Sequence, residues 1–364
     1  MEYNKDTKTL TIFHNFKKKL FKDIPKETKI ITFQNNYNNY IMFIKKNNLP
    51  KSITKIIFGE LFNQKVDNLP QNITHLNFNI KFNQTINFLP KNLTHLTLSY
   101  SLNKNINNFP KNLNYLIYNH RYYQNIPKLP KNLTYLYFLN TTNRIVYKFP
   151  NNLIHLIIYG SFQQNVDNLP KYLSYLFFKN YFNHRIDNLP QNLTHLTLSY
   201  SFNKKVKKFP KNLTYLTFGF CFNQKIDNFP KNLTHLTFDC MFNQKIYNFP
   251  KYLTHLTLYH TYKQKVDNLS QNLKCIKLGK FFENNFILPK NTKELSLSCD
   301  NNLINNIPEH IEKIYIYGSI TKRVENLPST IKEIIIGSEI YKKNIKIPFG
   351  CILTVDEYNE YIKY

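Results

Sequence analysis

Proline returns every twenty residues along most of this chain, at 50, 70, 90, 110, 130, 150, 170, 190, 210, 230 and 250. Ser270 takes the next slot, and Pro289, Pro308, Pro328 and Pro348 follow at intervals of 19 or 20. A fixed period of this length marks a solenoid, in which each repeat buries its apolar side chains only against its neighbours. Counting from each proline, Leu or Ile recurs three and six residues on, and Leu, Phe or Ile eight on. Phe follows twelve on, Ile or Val sixteen on, and Leu or Phe nineteen on, as in Leu193, Leu196, Leu198, Phe202, Val206 and Phe209. Such a set lines an interior that no single repeat could close.

The stretch from Leu193 to Leu198 reads LxxLxL, the pattern of the short parallel strand on the concave side of leucine-rich repeats. Its second half alternates inward and outward with a period of two, as a half-buried strand does. A loop at Ser199-Tyr200-Ser201 then leads into a return segment that places Phe202 and Val206 inside. Proline fixes its own backbone and cannot donate to a ladder, which suits an extended approach to the next strand. A rung this short leaves no room for a full helix on the return side. The expected fold is therefore a β-rich solenoid: a leucine-rich-repeat-like, right-handed stack of about sixteen repeats, with a parallel concave sheet and no full convex helices.

Along the chain, 1–49 reads as divergent N-terminal repeats or a cap, 50–270 as the regular array, 271–350 as divergent C-terminal repeats and 351–364 as a C-terminal cap. In the first segment, Leu10 to Phe13 and Ile24 to Phe33 resemble worn copies of the repeat. In the last, Val355 to Ile362 suggests a short amphipathic helix covering the open sheet edge. Asn recurs thirteen residues after the proline, at 63, 83, 103, 143, 183, 203, 223 and 243. These side chains either form a ladder that satisfies loop backbone groups or sit exposed, and the inward Phe just before each leaves both readings open.

Composition narrows the function. The net charge of +27 is carried by the front of the chain: residues 1–282 hold 39 Lys or Arg against 11 acidic residues, and 283–364 hold 10 against 11. Such a field attracts nucleic acid, acidic proteins or anionic surfaces. The competing reading is codon bias, because a chain rich in Asn, Lys, Ile, Tyr and Phe accumulates Lys on any tolerant surface. The five cysteines are odd in number and never form CxxC, so neither a zinc site nor a disulfide framework is expected. No signal-peptide stretch and no long apolar run occurs, which points to a cytoplasmic protein that does not insert in a membrane. There is no Gly-rich phosphate loop, GxSxG or HExxH, so no enzyme and no cofactor are expected.

Phe222-Asn223-Gln224-Lys225-Ile226-Asp227-Asn228-Phe229-Pro230, with its copies at Phe242 to Pro250 and Phe62 to Pro70, resembles the FNIP repeat, a leucine-rich-repeat relative of social amoebae and of giant viruses that infect amoebae. The resemblance is strong over about 50–270 and degenerate at 25–49 and 271–350. It implies a protein-interaction role, with a host protein as partner if the chain is viral. Many such proteins carry an N-terminal F-box that recruits a ubiquitin ligase, whereas residues 1–49 read as repeats with no room for three helices. A substrate-recognition subunit without its own F-box remains a reading that the resemblance allows.

The outward position five residues after each proline reads His75, His95, Tyr115, Tyr135, His155, Tyr175, His195, Tyr215, His235 and His255. In a parallel stack, neighbours in one column lie roughly 4.8 Å apart. This stripe of amphipathic rings is the expected partner-binding surface. His75 with His95, or His235 with His255, could share a metal, but two imidazoles without carboxylate or thiolate partners make a poor site. Thr97, Thr197, Thr217, Thr237 and Thr257 fill the adjacent outward column, as strand propensity alone would have it. Lysines form two more columns, one just after the proline, as at Lys211, Lys231 and Lys251, and one before it, as at Lys205, Lys225, Lys245 and Lys265, partly interleaved with Asp67, Asp167, Asp187, Asp227 and Asp267. Nucleic-acid binding along these columns is the second reading. It is set back because the lysines lie beside the proline turns, away from the aromatic strand face that base stacking would use. A monomer binding an unnamed protein is the expectation.

Overall fold

The structure, a computed structural model, describes residues 1–13, 24–34, 49–67, 69–104, 106, 108–120, 128–140, 148–162, 164–259, 261–280, 282, 287–299 and 301–356. The chain divides into two compact units, residues 1–164 with 168–176, and 165–167 with 177–364. Each is a parallel β-solenoid.

In the first unit, strands β1 (Glu2–Asn4), β2 (Thr9–Ile12), β3 (Ile30–Phe33), β4 (Lys55–Ile57), β5 (His75–Asn77), β6 (His95–Thr97), β7 (Tyr115–His120), β8 (Tyr135–Asn140) and β9 (His155–Ser161) follow one another in chain order. From β2 to β9 every neighbour is parallel, and in the regular rungs each residue pairs with the one twenty further on, as His75 does with His95. β1 instead turns back antiparallel onto β2, with Tyr3 opposite Leu10. A hairpin there occupies the edge of the first rung with the chain's own backbone.

Strand β10 (Tyr175–Tyr181) contains the division between the units. The second unit continues with β11 (His195–Thr197), β12 (Tyr215–Phe218), β13 (His235–Phe238), β14 (His255–Leu258), β15 (Cys275–Leu278), β16 (Glu294–Ser298), β17 (Lys313–Tyr317), β18 (Glu333–Ile336) and β19 (Ile352–Val355). All pair in parallel, and the step shortens to nineteen where Cys275 meets Glu294. Helix among the described residues is confined to short 3-10 turns at Asn302–Asn305 and Glu339–Asn344. The expected C-terminal helix does not begin at Val355, which ends β19, and residues 357–364 lie outside the described residues.

Two tight turns bend each regular rung. In the rung of Pro190, Leu193 N–H donates to Pro190 O at 3.2 Å, and Phe202 N–H donates to Ser199 O at 3.1 Å. The proline thus opens a turn whose tip is Gln191-Asn192; it does not lie in an extended approach. Its missing N–H costs nothing there, because the turn uses only its carbonyl. After the tip, one carbonyl receives two backbone donors from the next rung: Thr214 N–H and Tyr215 N–H both reach Thr194 O at 2.9 Å. Gly219, at the second turn, allows the backbones to close, since a Cβ there would sit 2.1 Å from Ser199 O.

The predicted inward set is buried in the rung of Pro190, at Leu193, Leu196, Leu198, Phe202, Val206 and Phe209, while the last position of the set is only half-buried at Leu89, Leu169, Phe229 and Phe249. Rings at the eighth and twelfth positions stack within a rung, with Phe238 and Phe242 centroids 3.7 Å apart, and between rungs, with Phe202–Phe222 at 5.8 Å and Phe222–Phe242 at 5.9 Å. Each such pair adds about 0.5–1.5 kcal/mol beyond the area it buries. The repeated Asn settles as a ladder. Asn203 N–H donates to Asn183 Oδ1, Asn223 N–H to Asn203 Oδ1 and Asn243 N–H to Asn223 Oδ1, at 2.9–3.0 Å, and Asn63, Asn83 and Asn103 repeat the arrangement in the first unit. Each side chain satisfies a backbone donor in a segment that has no strand partner.

Candidate binding face

The column five residues after the proline is built by the first residue of each strand, and the structure brings its members into contact. In the first unit, ring centroids lie 4.0 Å apart for His75–His95, 5.3 Å for His95–Tyr115, 4.3 Å for Tyr115–Tyr135, 6.0 Å for Tyr135–His155 and 5.7 Å for His155–Tyr175. In the second they lie 4.2 Å apart for His195–Tyr215, 4.0 Å for Tyr215–His235 and 4.1 Å for His235–His255. Most of these rings are half-buried by their own stacking, while His155 and Tyr215 are exposed.

What orients the rings is not apparent from the repeat pattern. The residue before each ring is usually Thr, and its hydroxyl works twice. Thr234 Oγ1 donates to Thr214 O at 3.1 Å and lies 2.9 Å from His235 Nδ1; Thr74, Thr94 and Thr254 do the same beside His75, His95 and His255. A hydroxyl has one proton. Given to the carbonyl, that proton leaves Nδ1–H to donate to Oγ1 and Nε2 bare; given to Nδ1, it leaves the hydrogen on Nε2, and in both cases the hydroxyl fixes the orientation of the ring.

The electrostatics favour the neutral form at His75, His95, His235 and His255. Burial lowers the pKa of His75, reinforced by His95 and Lys55, and that of His95, reinforced by Lys55. His235 falls to about 4 through burial and then through His255 and His195. His255 is lowered by burial, with Glu294 opposing and Lys274 adding to the effect. Burial also pushes the Tyr135 hydroxyl up to about 12. Parallel stacking sets the imidazole lone pairs side by side, whereas a shared zinc ion needs them convergent at roughly 2.0–2.1 Å. Among the described residues, no group of three or more His, Cys, Asp or Glu side chains is placed to hold a metal.

Beside the rings, Thr97 in the first unit and Thr197, Thr217, Thr237 and Thr257 in the second are half-buried. Lys277 ends that row of Thr. Only 3% exposed, its ammonium stands 4.8 Å from the Tyr259 ring centre and 5.1 Å from that of Tyr317, and it donates to Tyr259 OH at 3.3 Å. Burial lowers its pKa to about 8. Tyr317 reaches back two rungs to donate its hydroxyl to Leu278 O, and Ser296 and Ser298 are buried with it. Over β15 to β17 these side chains cover much of the outward strand face, and β11 to β14 carry its most open stretch of stacked rings. The substitution of Lys into a row of Thr was the available sequence signal. The lysine columns, by contrast, are solvated: Lys205–Asp227 at 4.0 Å and Lys265–Asp267 at 3.4 Å are exposed pairs.

The FNIP Repeat family matches residues 43–79, 62–101, 182–221, 205–241 and 222–260. Among solved structures, CroV588 of a giant virus, described as a circular leucine-rich-repeat protein, is similar with a TM-score of 0.73 and 32% identity over 91% of this chain and 54% of that one. The chain thus spans about half the length of that protein. YopM from Yersinia enterocolitica is similar in fold, with a TM-score of 0.50 and 18% identity over 92% of this chain and 84% of that one. No curated protein sequence matches significantly. Among the described residues, no helix is long and apolar enough to cross a membrane.

Proposed function

The chain is a FNIP-repeat protein of the leucine-rich-repeat type, and from that premise we propose that it is a non-enzymatic scaffold that binds a protein partner along its outward strand face. Leucine-rich-repeat solenoids generally serve protein–protein interaction. The observation that carries the reading is the stacked column of imidazoles and phenols, oriented by threonine hydroxyls. Rings already ordered by their neighbours lose little freedom on binding, which favours affinity. Their chemistry suits a partner segment of uncharged polar groups, such as backbone amides, side-chain amides or hydroxyls, since neutral imidazoles offer a carboxylate no ion pair. A spread of identical rungs supports an extended segment over a single buried loop.

The test compares proteins retained by the full chain with those retained by a variant carrying Tyr215→Ala, His235→Ala and His255→Ala, at matched folding by circular dichroism. A retained partner should bind the variant at least about 30-fold more weakly, the loss expected when central aromatic anchors are removed. Unchanged retention would place the binding surface elsewhere.

A further inference from the structure

The basic edge of the second unit carries a feature that the strand face does not use. Between positions 204 and 267 the chain holds eleven lysines and three aspartates. Lys211, Lys231 and Lys251 are exposed at the tips of successive proline turns, and Lys225 and Lys245 are exposed on the return segments that lead into them. Asp227 and Asp267 are each taken up by a single lysine, Lys205 and Lys265. Aromatic rings are present on the same edge. Tyr247 is 64% and Tyr252 51% exposed, flanking Pro250, and each has a lysine ammonium over its ring: Lys245 at 5.0 Å and Lys251 at 5.7 Å from the centroid.

We propose that this edge binds single-stranded nucleic acid, with the lysine lines following the phosphodiester backbone and Tyr247 and Tyr252 stacking on unpaired bases. Cations repeated at the spacing of one rung make a continuous track for a polyanion. Exposed rings beside that track are what distinguishes a single strand from other polyanions, because every base offers a π-face and sequence-tolerant stacking follows. A duplex keeps its bases stacked inside and has no use for the rings, and an acidic peptide has no faces to stack. The asparagine ladder under the return segment holds the track rigid, since each rung's backbone is tied to the next through Asn203, Asn223 and Asn243. This site is separate from the strand face, and neither reading depends on the other.

Fluorescence anisotropy of a labelled 20-nucleotide oligo(dT), titrated with the full chain at several salt concentrations, tests it. Affinity should fall with salt by about 0.7 in logarithmic slope per phosphate neutralised. Changing Lys211, Lys231 and Lys251 together to Gln should reduce that slope by about 2. Changing Tyr247 and Tyr252 to Leu should weaken binding by roughly tenfold or more while leaving the slope intact. An abasic phosphodiester of equal length should bind about as weakly as oligo(dT) binds the Tyr variant. The proposal is overturned by absence of binding at low salt, by equal affinity for the abasic chain, by tighter binding of a 20-base-pair duplex, or by equal competition from polyglutamate, which would assign the edge to acidic protein. Circular dichroism of both variants, whose changes are all at exposed positions, should match that of the parent.

Discussion

His235 sits between the rings of Tyr215 and His255, both within about a ring's thickness, so neither face of its imidazole is hydrated. The charged form loses most from that, and its pKa falls to about 4, against an ordinary value of 6.5. Between those two pH values the unfolded chain binds more protons than the folded one, so the contribution of this residue to stability is present above about 6.5 and is lost as the pH falls toward 4. His255 and His195 both lower it further by charge repulsion, while Glu294 and Lys274 act on His255 from the next rungs. His235→Phe keeps a stacked ring and removes the proton. Urea midpoints measured at pH 7, 5.5 and 4.5 should therefore fall less steeply for the variant than for the parent, and an identical fall would show that the stack is not the acid-sensitive group. The column itself was legible because period-two alternation places the residue before Leu196 outward. The role of the preceding Thr was not, because β propensity already explains a Thr there and nothing in one sequence distinguishes a hydroxyl that bonds from one that merely fits a strand.

At the scale of the rung, the inward positions and the scarcity of helix among the described residues followed from spacing, and the turns and the ladder did not. Strand alternation suggested that an Asn beside an inward Phe points out. That rule lapses after the second turn, where the backbone is no longer pleated and its N–H groups have no sheet partner. Asn223 Oδ1 fills the gap, accepting from Asn243 N–H at 3.0 Å and Gln244 Nε2 at 3.1 Å. Asn223→Ala should cost about 1–3 kcal/mol, the loss expected when a partly buried donor is left unsatisfied. Asn228→Ala, at an exposed position on the same return segment, should change stability by no more than about 0.5 kcal/mol. Urea unfolding of the two variants side by side decides the matter, and equal small effects would reduce the ladder to a surface arrangement. The covering of the C-terminal strand face was also hidden from the sequence, since the bond from Tyr317 to Leu278 spans 39 residues and follows no repeat spacing.

Over the whole chain, a solenoid turns any surface residue kept in register into a column, and this chain keeps lysine in register. A net charge of +27 is thereby concentrated along lines in which like charges recur at each rung, a density that an unfolded chain does not share. Screening length shrinks to about 10 Å at 0.1 M salt, so sodium chloride should relieve repulsion between more distant rungs while leaving adjacent ones partly coupled. The melting midpoint is accordingly expected to rise as the salt concentration increases from 10 to about 300 mM, opposite in sign to the oligonucleotide affinity over the same range. Lys231→Glu, placed between Lys211 and Lys251, should raise the midpoint at low salt, by an energy below about 1 kcal/mol because all three side chains are exposed, and the advantage should vanish at high salt. A midpoint that stays level or falls with sodium chloride, in parent and variant alike, would mean that the lysine columns are too well solvated to strain the fold, and would separate their cost to stability from any part they play in binding.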